Sequence, residues 1–262
     1  MTGTILITGA SSGIGQATAE YFAEQGWTVG ALARRAEPLE EMAAKNDLIM
    51  PLPADVSDPD AVDKAFATFV EKAGRLDVLF NNAGMFGVAE LIDDVPLDVW
   101  NNVVNVNLHG MFLCARAAFG QMRKQDPRGG RIINNGSISA HVPRPNSVCY
   151  TTTKHAITGM TKALSLDGRD LDIGCGQIDI GNARTPMVAA QHERAIAAEK
   201  AELLRLCWPV HQAVIDSLGV EAIICLGNTA GKWVRGQVGA TDRFDSYQET
   251  NARGWTAEAH RN

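Results

Sequence analysis

Along the first two-thirds of the chain, short runs of apolar, β-branched residues alternate with stretches whose apolar positions recur at helical spacing. The first run, Thr4-Ile5-Leu6-Ile7-Thr8, lacks the polar alternation of a half-exposed strand, as expected of a parallel strand buried on both faces. A glycine-rich loop then leads into Ala17, Ala19, Tyr21, Phe22 and Ala23 at helix-like positions, with Gly26 as the stop. Runs at 28–32, 48–52, 76–80, 130–136 and about 171–178 predict five further strands. Between them, Asp58, with Asp60 and Asp63, opens a helix that continues to about Ala73. A second helix begins near Leu97 with Val103, Val106, Leu108, Phe112 and Ala115 on its apolar side. A third follows the loop residues Pro143, Pro145, Asn146 and Ser147, carrying Ala156, Ile157, Met160, Ala163 and Leu164 at helical spacing. Six strand–helix alternations predict an α/β fold, a doubly wound parallel sheet in a three-layer α/β/α arrangement. One domain is expected over residues 1–230, with 231–262 an atypical, loosely ordered tail, because Lys232 to Asn262 is polar and barely periodic.

Composition narrows the class. The 262 residues are 45% apolar and 21% charged, ordinary for a soluble globular protein. A net charge of −6 without a basic stripe argues against a nucleic-acid partner. No apolar run is long enough to span a bilayer, and no targeting segment is evident, so a cytoplasmic location without membrane attachment is expected. The five cysteines (114, 149, 175, 207 and 225) lack CxxC spacing and read as reduced thiols, and the six histidines form no metal-binding cluster.

Candidate chemistry gathers where predicted strands end. Gly9, Ala10, Ser11, Ser12, Gly13, Ile14 and Gly15 lie between a strand and a helix, the context in which backbone N–H groups and a helix N-terminus cradle a pyrophosphate. Taken alone, such a loop is only a turn, and its GxxxGxG spacing differs from the GxGxxG dinucleotide fingerprint. The second strand ends at Ala33, Arg34 and Arg35, where a carboxylate would accept the ribose 2′-hydroxyl of NAD. A guanidinium there suits a 2′-phosphate, so NADP(H) is the expected cofactor over NAD(H), although two solvated arginines at a helix start would look the same. Asn81, Asn82, Ala83 and Gly84 end the fourth strand at the ligand crevice, while Asn107, mid-helix among apolar residues, needs hydrogen-bond partners. Ser137 and Ser139 follow the fifth strand. Tyr150 and Lys154, four apart on one helix face, place an ammonium near a phenol and favour its ionised form. Such a pair in isolation is usually surface packing.

In this order, the motifs Thr8-Gly9-Ala10-Ser11-Ser12-Gly13-Ile14-Gly15, Asp55-Val56, Asn81-Asn82-Ala83-Gly84, Asn107, Ser137, Tyr150/Lys154 and Gly181…Thr185 resemble the short-chain dehydrogenase/reductase family over about residues 1–190. The resemblance implies a Rossmann-like fold and hydride transfer between NADP(H) and a secondary alcohol or ketone. It also implies that Tyr150 is the acid or base and that Ser137 orients the carbonyl. Lys154 would hold the nicotinamide ribose and lower the Tyr150 pKa, and Asn107 would fix a water linking Lys154 to solvent. Asp55 and Val56 would meet the adenine, Asn82, Ala83 and Gly84 would run along the cofactor, Gly181 would lie toward the nicotinamide, and Thr185 would contact the carboxamide or phosphate side. A homodimer or homotetramer through the helices containing Asn107 and Tyr150 is implied too.

The chain departs from the family at Ile180, where proline is usual, and at Ala183 in place of valine. After about residue 200 only 220–226 resembles a strand, an ending that a shifted reading frame would produce. The rival reading is an NADP-binding regulator or redox sensor without turnover, against which the intact Tyr150 and Lys154 argue. Ser139, His141, Val142, Asn146 and the segment after Met187 are candidate substrate walls, with His141 read first as an ordinary loop residue.

Overall fold

The computed structural model describes residues 2–181, 183 and 185, together with the backbone of two later strands, 222–226 and 257–261. Six parallel strands, β1 (Thr4–Thr8), β2 (Thr28–Ala33), β3 (Ile49–Pro53), β4 (Val78–Asn81), β5 (Gly130–Asn135) and β6 (Ile173–Ile178), form one sheet in the order β3-β2-β1-β4-β5-β6. Connecting them are α1 (Gly13–Glu24), α2 (Ala36–Lys45), α3 (Pro59–Ala73), α4 (Leu97–Val104), α5 (Met111–Lys124) and α6 (Val148–Asp167). The doubly wound sheet is therefore as the apolar pattern predicts. Chain order reverses between β1 and β4, and the crevice beyond the carboxyl ends of those two strands is where such sheets take ligands.

Strand alternation sorts the core onto two faces. Leu6, Leu32, Leu52 and Leu79 pack with Phe66 and Phe69 of α3 and with Leu113, Ala118 and Met122 of α5. Ile5, Ile7, Val29 and Ala31 point the other way, against Ala19 and Ala23 of α1 and Leu39 and Met42 of α2. At Gly30 a Cβ would lie 2.7 Å from the Phe69 ring, so the missing side chain lets α3 settle close to β2. The start of α3 is as expected: Asp58 is the N-cap, its carboxylate accepting from the Asp60 and Ala61 N–H groups, with Pro59 at the first helical position. Ser147 stands at the N-cap of α6, but its hydroxyl bonds Arg144 O and Thr151 Oγ1 and does not cap.

One departure from regular geometry reaches the site. The helix predicted from Leu97 is interrupted between α4 and α5 by a π turn, Asn105–Gly110. The wider turn shifts the phase of the buried face, so Val103, Asn107, Gly110, Met111 and Cys114 face inward. Phe112, expected on the apolar side, is half exposed. Gly110 permits this path: a Cβ there would sit 2.7 Å from Val56 Cγ2.

Contacts divide the chain into two compact units, 1–192 and 193–262. In the second, β7 (Ala222–Leu226) pairs antiparallel with β8 (Ala257–Arg261) as a separate two-stranded sheet. The later of these falls in the stretch whose weak periodicity predicted no regular element. Met187 and the segment after it, Arg184 and Cys207 lie outside the described residues. Among the described residues no helix is long and apolar enough to cross a membrane, and no three His, Cys, Asp or Glu side chains are grouped to hold a metal ion.

Candidate active site

The crevice at the chain reversal is stitched by short polar contacts. Thr8, the last residue of β1, accepts from the Asn82 and Ala83 N–H groups through Oγ1 at 2.8 and 2.9 Å, and its carbonyl accepts from Asn82 Nδ2 at 2.9 Å. Asn82 Oδ1 in turn accepts from Asn135 Nδ2 at 2.8 Å, and the Asn135 carbonyl accepts from Lys154 Nζ at 2.6 Å. The ends of β1, β4 and β5 are thereby tied to α6.

The glycine loop crosses this seam with no room for side chains. Gly9 (φ +69°) would place a Cβ 2.9 Å from Ala83 Cα, and at Gly15 it would run into the Gly9 carbonyl and the Asn82 amide. No side chain caps the first turn of α1, where Ser12 is the N-cap, so that turn opens with its dipole unanswered by protein. Arg35 is drawn onto the loop, donating to the carbonyl and hydroxyl of Ser11 at 3.1 Å. Arg34 lies near Asp55: burial pushes the Asp55 carboxyl up, but the Ser57 N–H and hydroxyl and the Arg34 charge outweigh it and hold it below the usual carboxylate range.

At the other end stand Ser137, Tyr150 and Lys154. Ser137 follows β5; its Oγ accepts from Ser139 N–H at 3.1 Å and lies near enough to the Tyr150 phenol to draw its pKa down. The Tyr150 ring packs against Phe86, with centroids 4.5 Å apart. Burial pushes the phenol above its ordinary pKa, with the Ser137 hydrogen bond and the Arg144 charge opposing it only in part. Lys154, 3% exposed, sits 5.4 Å from the Tyr150 ring centroid and has its pKa pushed down to about 8 by burial, with the Asp179 charge acting the other way. The Lys154 ammonium is aimed at the Asn135 carbonyl, and burial is the largest influence on the tyrosine.

Asn107 is fully buried, and both of its amide hydrogens are used. Its Nδ2 donates to Met85 O at 2.7 Å and to Thr153 Oγ1 at 3.2 Å, while Oδ1 accepts from Met85 N–H at 2.8 Å. The side chain fastens the Met85 segment after β4 to α6, and it sits within the π turn.

These elements enclose a cavity of about 750 Å³. Of the residues expected at the cofactor, Gly9, Ser11, Ser12, Gly13, Ile14, Arg34, Arg35, Asp55, Val56, Asn82, Ala83, Gly84, Tyr150, Lys154, Gly181 and Thr185 line it. Gly15, Ser137 and Asn107 do not line it: Gly15 leaves space for the loop, Ser137 lies beside Tyr150, and Asn107 holds the lining residue Met85. Sequence reasoning missed Met85, Phe86 and Asn135 in this wall, and Asp179 next to it. An apolar pair straight after Asn82-Ala83-Gly84 is the signal that would have found the first two.

The family model for short chain dehydrogenase matches residues 3–195. A 3beta-hydroxysteroid dehydrogenase of Mediterraneibacter gnavus is 34% identical over 209 residues, covering 77% of this chain and 72% of that protein. The solved 3-ketoacyl-(acyl-carrier-protein) reductase of Brucella melitensis, complexed with NADH, superposes with a TM-score of 0.68 at 27% identity, over 78% of this chain and 89% of that one. ElxO with NADP bound gives 0.68 at 29% identity, over 74% and 79%. With six parallel strands, the glycine loop and the Ser137–Tyr150–Lys154 grouping in place, this chain belongs to the short-chain dehydrogenase family of oxidoreductases, which bind a nicotinamide cofactor.

Proposed function

We propose that the protein is an NADP(H)-dependent oxidoreductase that interconverts a secondary alcohol and a ketone. The observation that carries this reading is the Tyr150 phenol, with Ser137 beside it, at one end of a cavity whose other end is the glycine loop and Arg34. The cradle fits a dinucleotide: Gly9 and Gly15 let the loop lie close on Asn82 and Ala83, and the uncapped first turn of α1 opens beside the cavity. When bound, the nicotinamide supplies or accepts the hydride. Tyr150, kept protonated at neutral pH by burial, donates to the carbonyl oxygen in reduction and takes the proton back in oxidation. The Ser137 hydroxyl orients that oxygen beside the phenol, and Lys154 holds the nicotinamide ribose hydroxyls. Asn107 is assigned the positioning of the Met85 segment along the cofactor. Gly181 would lie toward the nicotinamide, Thr185 toward the carboxamide or a phosphate, and Asp55 and Val56 toward the adenine; all four line the cavity.

The neighbours named above hold NADH in one case and NADP in the other, so cofactor preference rests on this chain's own residues. No carboxylate ends β2; Ala33, Arg34 and Arg35 do, with Arg35 engaged on Ser11, which leaves Arg34 for a 2′-phosphate. The relatives' names describe a hydroxysteroid and a ketoacyl group, both consistent with chemistry at a secondary carbon. The same reading makes the protein cytoplasmic and a homodimer or homotetramer.

Fluorescence titration with NADPH and, separately, NADH tests the reading, followed by a carbonyl panel. NADPH should bind more tightly, and Tyr150→Phe should lower turnover by about 10²–10⁴-fold while leaving that binding within about twofold. Preference for NADH overturns the role of Arg34. Turnover undiminished in Tyr150→Phe overturns the mechanism.

A further inference from the structure

The strongest unassigned arrangement lies just beyond the cavity, where β6 ends. Asp179 Oδ1 accepts from the Ser137 backbone N–H at 3.0 Å, and its Oδ2 pairs with His141 Nε2 at 2.8 Å. One carboxylate thus grips both ends of the tight turn that begins at Ser137. Gln177 Nε2 adds a third bond to Oδ1 at 2.6 Å. Gly136 makes the approach feasible, because a Cβ there would collide with Asp179 Oδ1 and the Gln177 amide. Within the turn, Ala140 N–H bonds Ser137 O at 2.8 Å and Ser139 N–H bonds Ser137 Oγ, so whatever fixes the turn also fixes the serine hydroxyl.

We infer that Asp179, completed by His141, is a positioning residue that holds Ser137 against the Tyr150 phenol. The inference rests on the proposed role of Ser137 and Tyr150 and adds the group that sets their contact. The carboxylate touches no reacting atom; it acts through the Ser137 main chain. Its charge also acts on Lys154, so one side chain influences two neighbours of Tyr150. Three bonds to a carboxylate only partly exposed are geometrically demanding, and a side chain one bond longer or shorter cannot make them together.

The test needs no substrate. The chain has three tyrosines, and carbon-13 labelling at Cζ gives each a resonance, the Tyr150 line being the one lost in Tyr150→Phe. At neutral pH this line reports the hydrogen bonding of the phenol. Ser137→Ala should displace it, and Asp179→Ala should displace it in the same direction by at least about half as much, adding nothing in the Ser137→Ala background. Asp179→Asn, whose amide oxygen still accepts from Ser137 N–H, should return the line close to its wild-type position, which a charge effect alone does not do. The inference is overturned if Asp179→Ala leaves the line where it was, or if Asp179→Asn moves it as far as the alanine does. An unmoved line in Ser137→Ala overturns the underlying Ser137–Tyr150 contact instead, a distinguishable result. Should Asp179→Ala not fold, His141→Ala removes one exposed arm only; a smaller displacement in the same direction is expected, and none refutes the clasp.

Discussion

Lys154 shows how a single residue serves the site at the expense of the fold. Burial takes its ammonium from an ordinary 10.5 to about 8, against the pull of Asp179. Below pH 8 the lysine is charged in both folded and unfolded chains, and the folded chain bears the whole desolvation cost, roughly 3 kcal/mol. Between pH 8 and 10.5 the folded state has released the proton and the unfolded state has not, so this group makes the protein more stable as pH rises through that window. Lys154→Met removes the charge but also leaves the Asn135 carbonyl without its donor, a loss of about 1–3 kcal/mol. The two effects nearly cancel at pH 7, where the variant should melt no lower than wild type. By pH 10 the advantage over wild type should have fallen by several degrees, about 2–4 °C per kcal/mol for a chain of this size. Paired thermal melts across that range check it, and a difference in Tm that does not change with pH refutes the assignment.

At the level of elements, the π turn carries the argument. Asn107 is the partner of both main-chain groups of Met85, and Met85 with Phe86 forms part of the cavity wall. Asn107→Ala would leave two half-buried backbone groups of Met85 unpaired and a small void. A loss on the order of 3 kcal/mol is expected, together with weaker NADPH binding as the wall segment loosens. Denaturant melts and the fluorescence titration read the two; a variant that loses stability but binds NADPH as before shows that Met85 is held by other means. This element also marks where the sequence was legible and where it was not. The all-apolar run of β1 announces a strand covered on both faces, and the spacing of Tyr150 and Lys154 announces a shared helix face; both depend only on local geometry. The need of Asn107 for partners could be read, but not the phase slip that the π turn adds, which is why Phe112 turns outward. The direction of the Tyr150 shift was likewise beyond reach, because it depends on how deeply β5, β6 and the Phe86 segment bury the phenol. His141 read as an ordinary loop residue for the same reason, since its partner Asp179 is brought close by the sheet, thirty-eight positions away.

For the whole molecule, the question is what the outward faces of α4, α5 and α6 meet. Leu97, Phe112 and Leu166 are each at least half exposed on these helices. Next to them, Phe66, Val70, Phe112, Ala117 and Leu164 line a shallow depression on the α3, α5 and α6 side. A second copy of the chain pressed against α5 and α6 would cover these side chains and would stiffen the two helices that carry Asn107 and Tyr150. That is the proposed homo-oligomer, in which assembly and site rigidity are linked because the same helices serve both. Phe112→Glu tests it with little risk to the fold, since the side chain contributes to no buried cluster among the described residues. A carboxylate at the middle of an apolar interface, facing its own copy across a two-fold axis, should weaken association by about a hundredfold or more. Sedimentation should then fall from a multiple of 28.1 kDa to the single-chain mass, with NADPH affinity dropping alongside it. A wild-type protein that already sediments as one chain refutes the oligomer. A variant that becomes monomeric yet keeps full NADPH affinity refutes the link between assembly and site.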